Sequence, residues 1–381
     1  MNTNPIPQKQ FAAMILTSML SPLLRSLPRA AVHSAGKGAW LCILPAFFLL
    51  LAMLAFHGCF LRQLGPGKGY ADLLLKWLGP VAGRLVLLLY WAWFLFYTGF
   101  ILRSGSERLA AAVYPESAVF PFMLVVAALC LLVALGTLRA VGRCAVLLRS
   151  FLLVALGLIL LFAAPNISRE NLMPVPWMDY NGILLGSLPI AAIGGLAGSF
   201  PFLMGYVEPL KQPARKAIPL ILATLAIAGV LCIEVVGTFG PALTEKITYP
   251  FFLMVRDISI FRITQRIEAV VVVLWIFADF ILCSSMLRCA HECIRAVFSL
   301  QNPEREPLFS LKNGRWLLWV ETGLILLSGV LVTRTAFQLE EWGDHIIPLA
   351  GVLLMYVALL LFFFIGWIRG KTEPYKKGHG S

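Results

Sequence analysis

The 381-residue chain is 60% hydrophobic and only 13% charged, with a mean hydropathy of +0.85. No soluble domain of this length needs so much apolar surface, so composition excludes the soluble globular classes and specifies a polytopic membrane protein with room for about ten spans of ~20 residues. The formal net charge of +12 is spread over loops, where anionic lipid headgroups are the nearer partner, and it implies no nucleic acid.

Hydropathy places the spans near residues 11–32, 41–62, 82–103, 118–138, 145–164, 184–208, 216–239, 267–289, 315–333 and 345–368. The first carries Ser18, Ser21, Pro22 and Arg25 inside its apolar run. Only Lys9 precedes that run, and Arg25 interrupts it before a small-residue cleavage site, so a retained helix is expected rather than a signal peptide. Between spans two and three, Gly65-Pro66-Gly67-Lys68-Gly69 lacks the Gly-Lys-Ser/Thr ending of a phosphate loop and reads as a tight turn. Span three carries Tyr90, Trp91, Trp93, Tyr97 and Thr98; Tyr90 and Tyr97 share a helix face. These residues suit either a pocket wall, with a tyrosine hydroxyl for a ligand carboxylate, or an interfacial aromatic belt.

The sixth segment carries Pro189, then Gly194, Gly195, Gly198, Ser199 and Pro201. Every backbone polar group at membrane depth must be satisfied, so interruptions survive only against protein or a wet cavity. Interruptions in spans one and six, five segments apart, point to a transporter-type site between two inverted repeats. The repeats are expected at about 8–165 and 184–368, with a cytoplasmic tail over 369–381. Residues 244–266 mix apolar side chains with Arg256, Asp257, Arg262 and Arg266, as expected of amphipathic helices over the outer mouth or of a loop resting at the interface.

Four carboxylates fall in or near spans: Glu234, Glu268, Asp279 and Glu321. An ionisable group at membrane depth is a functional candidate by default. Asp279, in the middle of span eight, suits an ion or proton path or a pairing with a base such as Arg25; a structural hydrogen bond remains the alternative. Glu321 is expected near the membrane surface. Cys289-Ala-His291-Glu292-Cys293 is no metal site, because His291 points away from the face shared by the two cysteines. None of the five histidines is expected deep in a span beside a carboxylate, and no nucleophile–base–acid set is present, so an enzyme is not expected. The eight cysteines lie mostly in apolar spans and suggest no disulfide framework. With the N-terminus inside, 20 of the 31 Lys and Arg fall on cytoplasmic segments, which predicts both termini in the cytoplasm.

Around span eight, Tyr249-Pro250-Phe251-Phe252-Leu253-Met254-Val255-Arg256-Asp257-Ile258-Ser259-Ile260, then Gln265-Arg266-Ile267-Glu268-Ala269 and Trp275-Ile276, resembles the spore germination permease family. Ile6-Pro7-Gln8-Lys9-Gln10, Gly36-Lys37-Gly38-Ala39-Trp40, Leu102-Arg103 and Gly136-Thr137-Leu138-Arg139-Ala140-Val141-Gly142-Arg143 extend the resemblance over nearly the full chain. Gly38 and Gln265 stand where that family usually has acids, and the Gly142-Arg143 turn lacks a following Glu.

The resemblance implies an all-α, five-plus-five inverted-repeat fold of the amino acid–polyamine–organocation (LeuT-like) type with broken helices one and six. It also implies a B subunit of a nutrient germinant receptor, in the spore inner membrane or cell membrane, working with A and C subunits and without cofactor. The expected ligand is a small nutrient such as an amino acid. Expected ligand contacts are Ser18, Ser21, Tyr97, Thr98, Gly194, Gly195, Gly198, Ser199 and Ser284 or Ser285; Asp279 and Glu234 are the expected ion or proton path, and Arg256, Arg266 and Glu268 the external lid. The carboxylate is expected on backbone N–H groups at half-helix N-termini. A cation-coupled amino acid transporter and a ligand-less scaffold are the rival readings.

Overall fold

The computed structural model describes residues 5–113, 118–174, 178–209, 213–257, 268–300, 314–331 and 335–370. The first half comprises α1 (Gln8–Ala35), a 3-10 link (Gly36–Cys42), α2 (Ile43–Leu61), α3 (Tyr70–Leu78), α4 (Pro80–Val113), α5 (Val119–Leu135) and α6 (Leu138–Ala163). After the short α7 (Arg169–Leu172) come α8 (Tyr180–Gly195), a 3-10 segment (Leu196–Tyr206), α9 (Pro213–Phe239), α10 (Pro241–Lys246) and α11 (Pro250–Arg256). The chain then forms α12 (Glu268–Val297) and α13 (Trp316–Leu331). It ends on α14 (Ala336–Glu341), α15 (Ile347–Val352) and α16 (Leu359–Ile368), joined by π-turns at Trp342–Ile346 and Leu353–Ala358.

Seven described stretches are long and apolar enough to cross a bilayer, and one of them, Gln8–Leu61, holds both α1 and α2. With the shorter apolar helices Val119–Leu135 and Trp316–Leu331, the described residues supply the ten expected spans. On α6, Leu147, Phe151, Val154, Leu158 and Leu161 recur at helical spacing and are exposed, which is a lipid-facing stripe. By contrast, α12 is buried on all sides from Ile281 to Cys293 and forms the centre of the bundle. It packs along α4, while α1 packs along α8.

Glycines set the closest approaches. A Cβ on Gly99 would lie 2.7 Å from the Ile325 carbonyl, so α4 and α13 meet backbone to backbone there. The Gly65–Gly69 turn packs against the 3-10 segment: a Cβ on Gly69 would lie 2.6 Å from the Phe202 carbonyl, and the Gly69 N–H is taken by Asp72 (2.9 Å).

The two interruptions take different forms. The sixth segment changes at Gly195 from α-helix to an 11-residue 3-10 helix, a tighter winding rarely sustained for so long. The first segment remains α-helical from Gln8 to Ala35, with Pro22 and Pro28 inside it. Each proline removes one i→i−4 hydrogen bond, so the ladder is interrupted although the helix does not unwind. A free half-helix N-terminus near Ser21, the expected carboxylate receptor, therefore does not form.

Candidate functional site

Three helices bring a polar cluster to the middle of the bundle. Asp279 on α12 accepts from Arg108 on α4 (2.6 Å) and from the Ser21 hydroxyl on α1. Ser104, one turn before Arg108, accepts from both Arg108 and Arg25, each at 3.0 Å. All five residues are buried. Arg25 lies 5.3 Å from the Phe100 ring centroid and Arg108 lies 5.2 Å from that of Trp275, so the aromatic faces replace part of the lost hydration.

The base paired with Asp279 is therefore Arg108, not Arg25. Arg108 lies beyond residue 103, the expected end of span three, and so reads as a loop residue in sequence. In the structure α4 continues to Val113, and Arg103 is neutralised one turn on by Glu107. The one available signal was that an acid at membrane depth requires a partner, and the sequence offers several candidate arginines. With two guanidinium groups and one carboxylate, the cluster carries one excess positive charge.

Beside Arg25 is a cavity of about 50 Å3, bordered by Pro22 and Arg25 of α1, Trp93 and Tyr97 of α4, Gly195, Leu196 and Ser199, and Asp344 and Met355 of the π-turns. Tyr97 is buried and stacked on Trp93 at 5.9 Å and 17°. The π-turns are a functional signal that sequence periodicity did not reveal. In the second of them the Leu354 carbonyl accepts from the Tyr90 hydroxyl (2.6 Å), which satisfies a group that the widened turn displaces.

Two sets of contacts tie α1 and the residues just before it to neighbouring segments. Beyond Arg25, Arg29 pairs with Glu340 (2.9 Å) and approaches Asp344 (3.8 Å). Near the start of α1, Ile6 donates to the Tyr206 carbonyl (2.8 Å) and Glu208 donates to Ile6 (3.0 Å). Tyr206 donates its hydroxyl to Glu292, which also pairs with Arg295 (2.6 Å).

The expected ligand contacts separate into groups. Tyr97, Gly195 and Ser199 border the cavity; Ser21 joins the Asp279 cluster. Gly194 and Gly198 face the opposite side, toward Leu50 and His57 of α2. The Thr98 hydroxyl bonds its own helix at Phe94 (2.6 Å). Ser18, Ser284 and Ser285 are buried, and their hydroxyls have no partner among the described residues. Glu234 is buried in α9, with one carboxyl oxygen unpartnered among the described residues. Arg256 ends α11; Arg266, and the Glu268 side chain, lie outside the described residues. Below the expected lid, Phe252 stacks on Trp275 at 5.6 Å.

One histidine departs from expectation. His291 and Glu321 are both buried, 3.1 Å apart, and Glu321 also accepts from Trp91 (2.9 Å). The sequence misled because His291 and Glu321 lie on separate helices and each looked close to a membrane surface. Replacing Glu321 with Leu strands both the His291 and Trp91 donors, and is expected to cost about 1–3 kcal/mol, read as a lowered thermal midpoint in detergent. Glu321→Gln keeps an acceptor and is expected to lose less.

A family model described as a spore germination protein matches residues 5–314. No curated protein matches the chain. Among solved structures, a Na+-coupled sialic acid symporter in a substrate-bound, outward-open state is similar, with TM-score 0.63 and 13% identity over 97% of this chain and 88% of that one. Mhp1, a nucleobase-cation-symport-1 family transporter in a closed conformation with bromovinylhydantoin bound, has TM-score 0.62 and 12% identity over 95% and 81%. At such identities the likeness concerns the fold, which is that of LeuT-type transporters.

Proposed function

The chain belongs to the spore germination protein family, and on that premise we propose that it is the membrane subunit of a nutrient germinant receptor that binds a small zwitterion at mid-membrane. The observation that carries the reading is a pair of opposite charges bordering one cavity, Arg25 and Asp344. An amino acid's carboxylate would meet the Arg25 guanidinium, and its ammonium would meet Asp344. Tyr97 and Ser199 supply further polar atoms.

At about 50 Å3 the cavity has room for little more than a water or two. The ligand therefore requires a wider arrangement of α1, the 3-10 segment and the π-turns. Its differential affinity for that arrangement is the signal that A and C subunits would read. The repeats would span about 8–165 and 184–368, with both termini in the cytoplasm, in the spore inner membrane or the cell membrane.

The test is dipicolinic acid release from spores carrying Arg25→Ala or Arg25→Lys at wild-type protein level. Loss of the response to one amino acid class with Ala, partly restored by Lys, is expected; a wild-type response with Ala refutes the placement. Glu234, with its unpartnered carboxyl oxygen, favours a cation-coupled transporter as the second reading. That reading requires accumulation of radiolabelled amino acid by cells expressing this chain alone. A receptor subunit requires its partners, and a scaffold binds no ligand.

A further inference from the structure

Across the glycine-rich segment from the candidate ligand site lies a larger cavity of about 450 Å3. It runs along α1 from Lys9 to Met19, about 15 Å, which is about the hydrocarbon depth of one leaflet. Two of its walls are α2 and α9. These helices meet at one end, where a Cβ on Gly229 of α9 would run into the Ile43 side chain at the start of α2. The cavity lies between their other ends, bordered by Leu61 of α2 and Ala217 of α9. Next to the lining residues, Phe56 on α2 and Ile218 and Leu222 on α9 are exposed, so lipid-facing side chains edge the cleft.

Polarity changes along its length. Met19 and Leu50 are buried at the deep end, and the polar residues of the wall are turned away or bonded within the protein. Thr224 donates its hydroxyl to the Leu220 carbonyl (2.9 Å). His57 faces the Met53 carbonyl through Nδ1 (2.9 Å) and packs Nε2 against Gly198. Tyr356 turns its hydroxyl toward Gly195. The mouth is different. Gln8 and Lys9 border it, and Lys9 is exposed with no ion pair among the described residues. Both α1 and α9 begin at this end, neither with an acid in its first turn, and the sequence puts Arg215 and Lys216 on the first turn of α9. Glu208, which donates its N–H to Ile6, does not border the cavity. Basic side chains and helix N-termini together favour an anion here.

We propose that this cleft is a lipid site, which takes one acyl chain of an anionic phospholipid and holds its phosphate at Lys9 and Gln8. The apolar depth, the lipid-facing edges and the basic mouth ask for a chain and an anionic head in one molecule. A zwitterionic phospholipid offers the same chain without the net charge. The site shares neither Arg25 nor Asp344, so it stands apart from the nutrient-binding reading.

The test uses the full-length protein in nanodiscs with phosphatidylglycerol that carries a diazirine on one acyl chain. Irradiation is expected to give a saturable adduct on Met19 or Leu50, which a chain reaches only by entering the cleft. Unlabelled phosphatidylglycerol should compete for that adduct about fivefold better than phosphatidylcholine, as one lysine near an anionic headgroup provides. Lys9→Gln is expected to reduce this ratio to about twofold or less. Leu220→Trp, which fills the cleft, should remove the adduct while labelling of the exposed α6 stripe persists. Labelling confined to exposed helix faces, equal competition by the two phospholipids, a ratio unchanged in Lys9→Gln, or palmitate competing as well as phosphatidylglycerol overturns the proposal. The wild-type competition ratio decides the case by itself should a variant fail to fold.

Discussion

Arg108→Ala is expected to cost about 3–5 kcal/mol of stability, because it leaves the Asp279 carboxylate buried without its cation. The two side chains are 1% and 6% exposed and 2.6 Å apart. No solvent is at hand to compensate, and Ser21 alone remains as a donor to Asp279. The measurement is thermal unfolding in detergent. The double variant Arg108→Leu, Asp279→Leu is expected to recover much of the loss, since removing both charges also removes the desolvation cost that the pair must offset. An Arg108→Ala protein that melts as the wild type does refutes the pair. Gly105 belongs to the same arrangement: a Cβ there would sit 2.6 Å from Asp279 Oδ2. The glycine lets the carboxylate approach the α4 backbone closely enough to reach Arg108.

Gly99→Ala is the second large effect expected. The new Cβ would meet the Ile325 carbonyl at 2.7 Å and the Gly329 nitrogen at 2.9 Å. Backbone atoms cannot rotate aside as a side-chain end can, so α4 and α13 must separate. Overpacking of this kind costs about 1–3 kcal/mol, and Gly99→Leu should leave little folded protein. Ala at Gly323, where nothing lies within 4 Å, is the control and is expected to be neutral or slightly stabilising. Size-exclusion profiles and melting curves of the three variants make the comparison. A Gly99→Ala protein as stable as the Gly323→Ala control would show that the helices do not meet there.

Both effects arise at positions the sequence marks only weakly. Gly99 is one glycine among 31, and Arg108 looks like a loop residue. Membrane helices lack a strong hydrophobic drive toward each other, so close packing and matched polar groups decide which faces meet. Such contacts join residues far apart in the chain, as in Ser21 with Asp279, Trp91 with Glu321, and Tyr90 with Leu354. Hydropathy and local spacing do not contain them.

Small residues, with Arg25 and Asp279, were the legible part of the site; Arg108 and Asp344 were not. The Gly194–Ser199 segment was recognisable because glycine and proline stand where a membrane helix should be uniform, and it does change winding there. Its two faces were not separable in sequence. Gly195 and Ser199 border one cavity, and Gly194 and Gly198 another. The tight winding of the 3-10 segment determines which residue faces which side.

The sequence by itself determined the membrane class, the number of spans and their order along the chain. The reason is physical: a bilayer demands about 20 apolar residues per crossing with every backbone group paired, and that demand is local. Family resemblance was legible too, carried by short motifs such as Tyr249–Ile260. Tertiary structure alone decided that Asp279 is matched by Arg108, that His291 is matched by Glu321, and that helix one stays wound through Pro22. Each of these depends on which buried groups a neighbouring helix offers. In a low-dielectric interior that choice is worth several kcal/mol, yet it leaves no periodic mark along the chain.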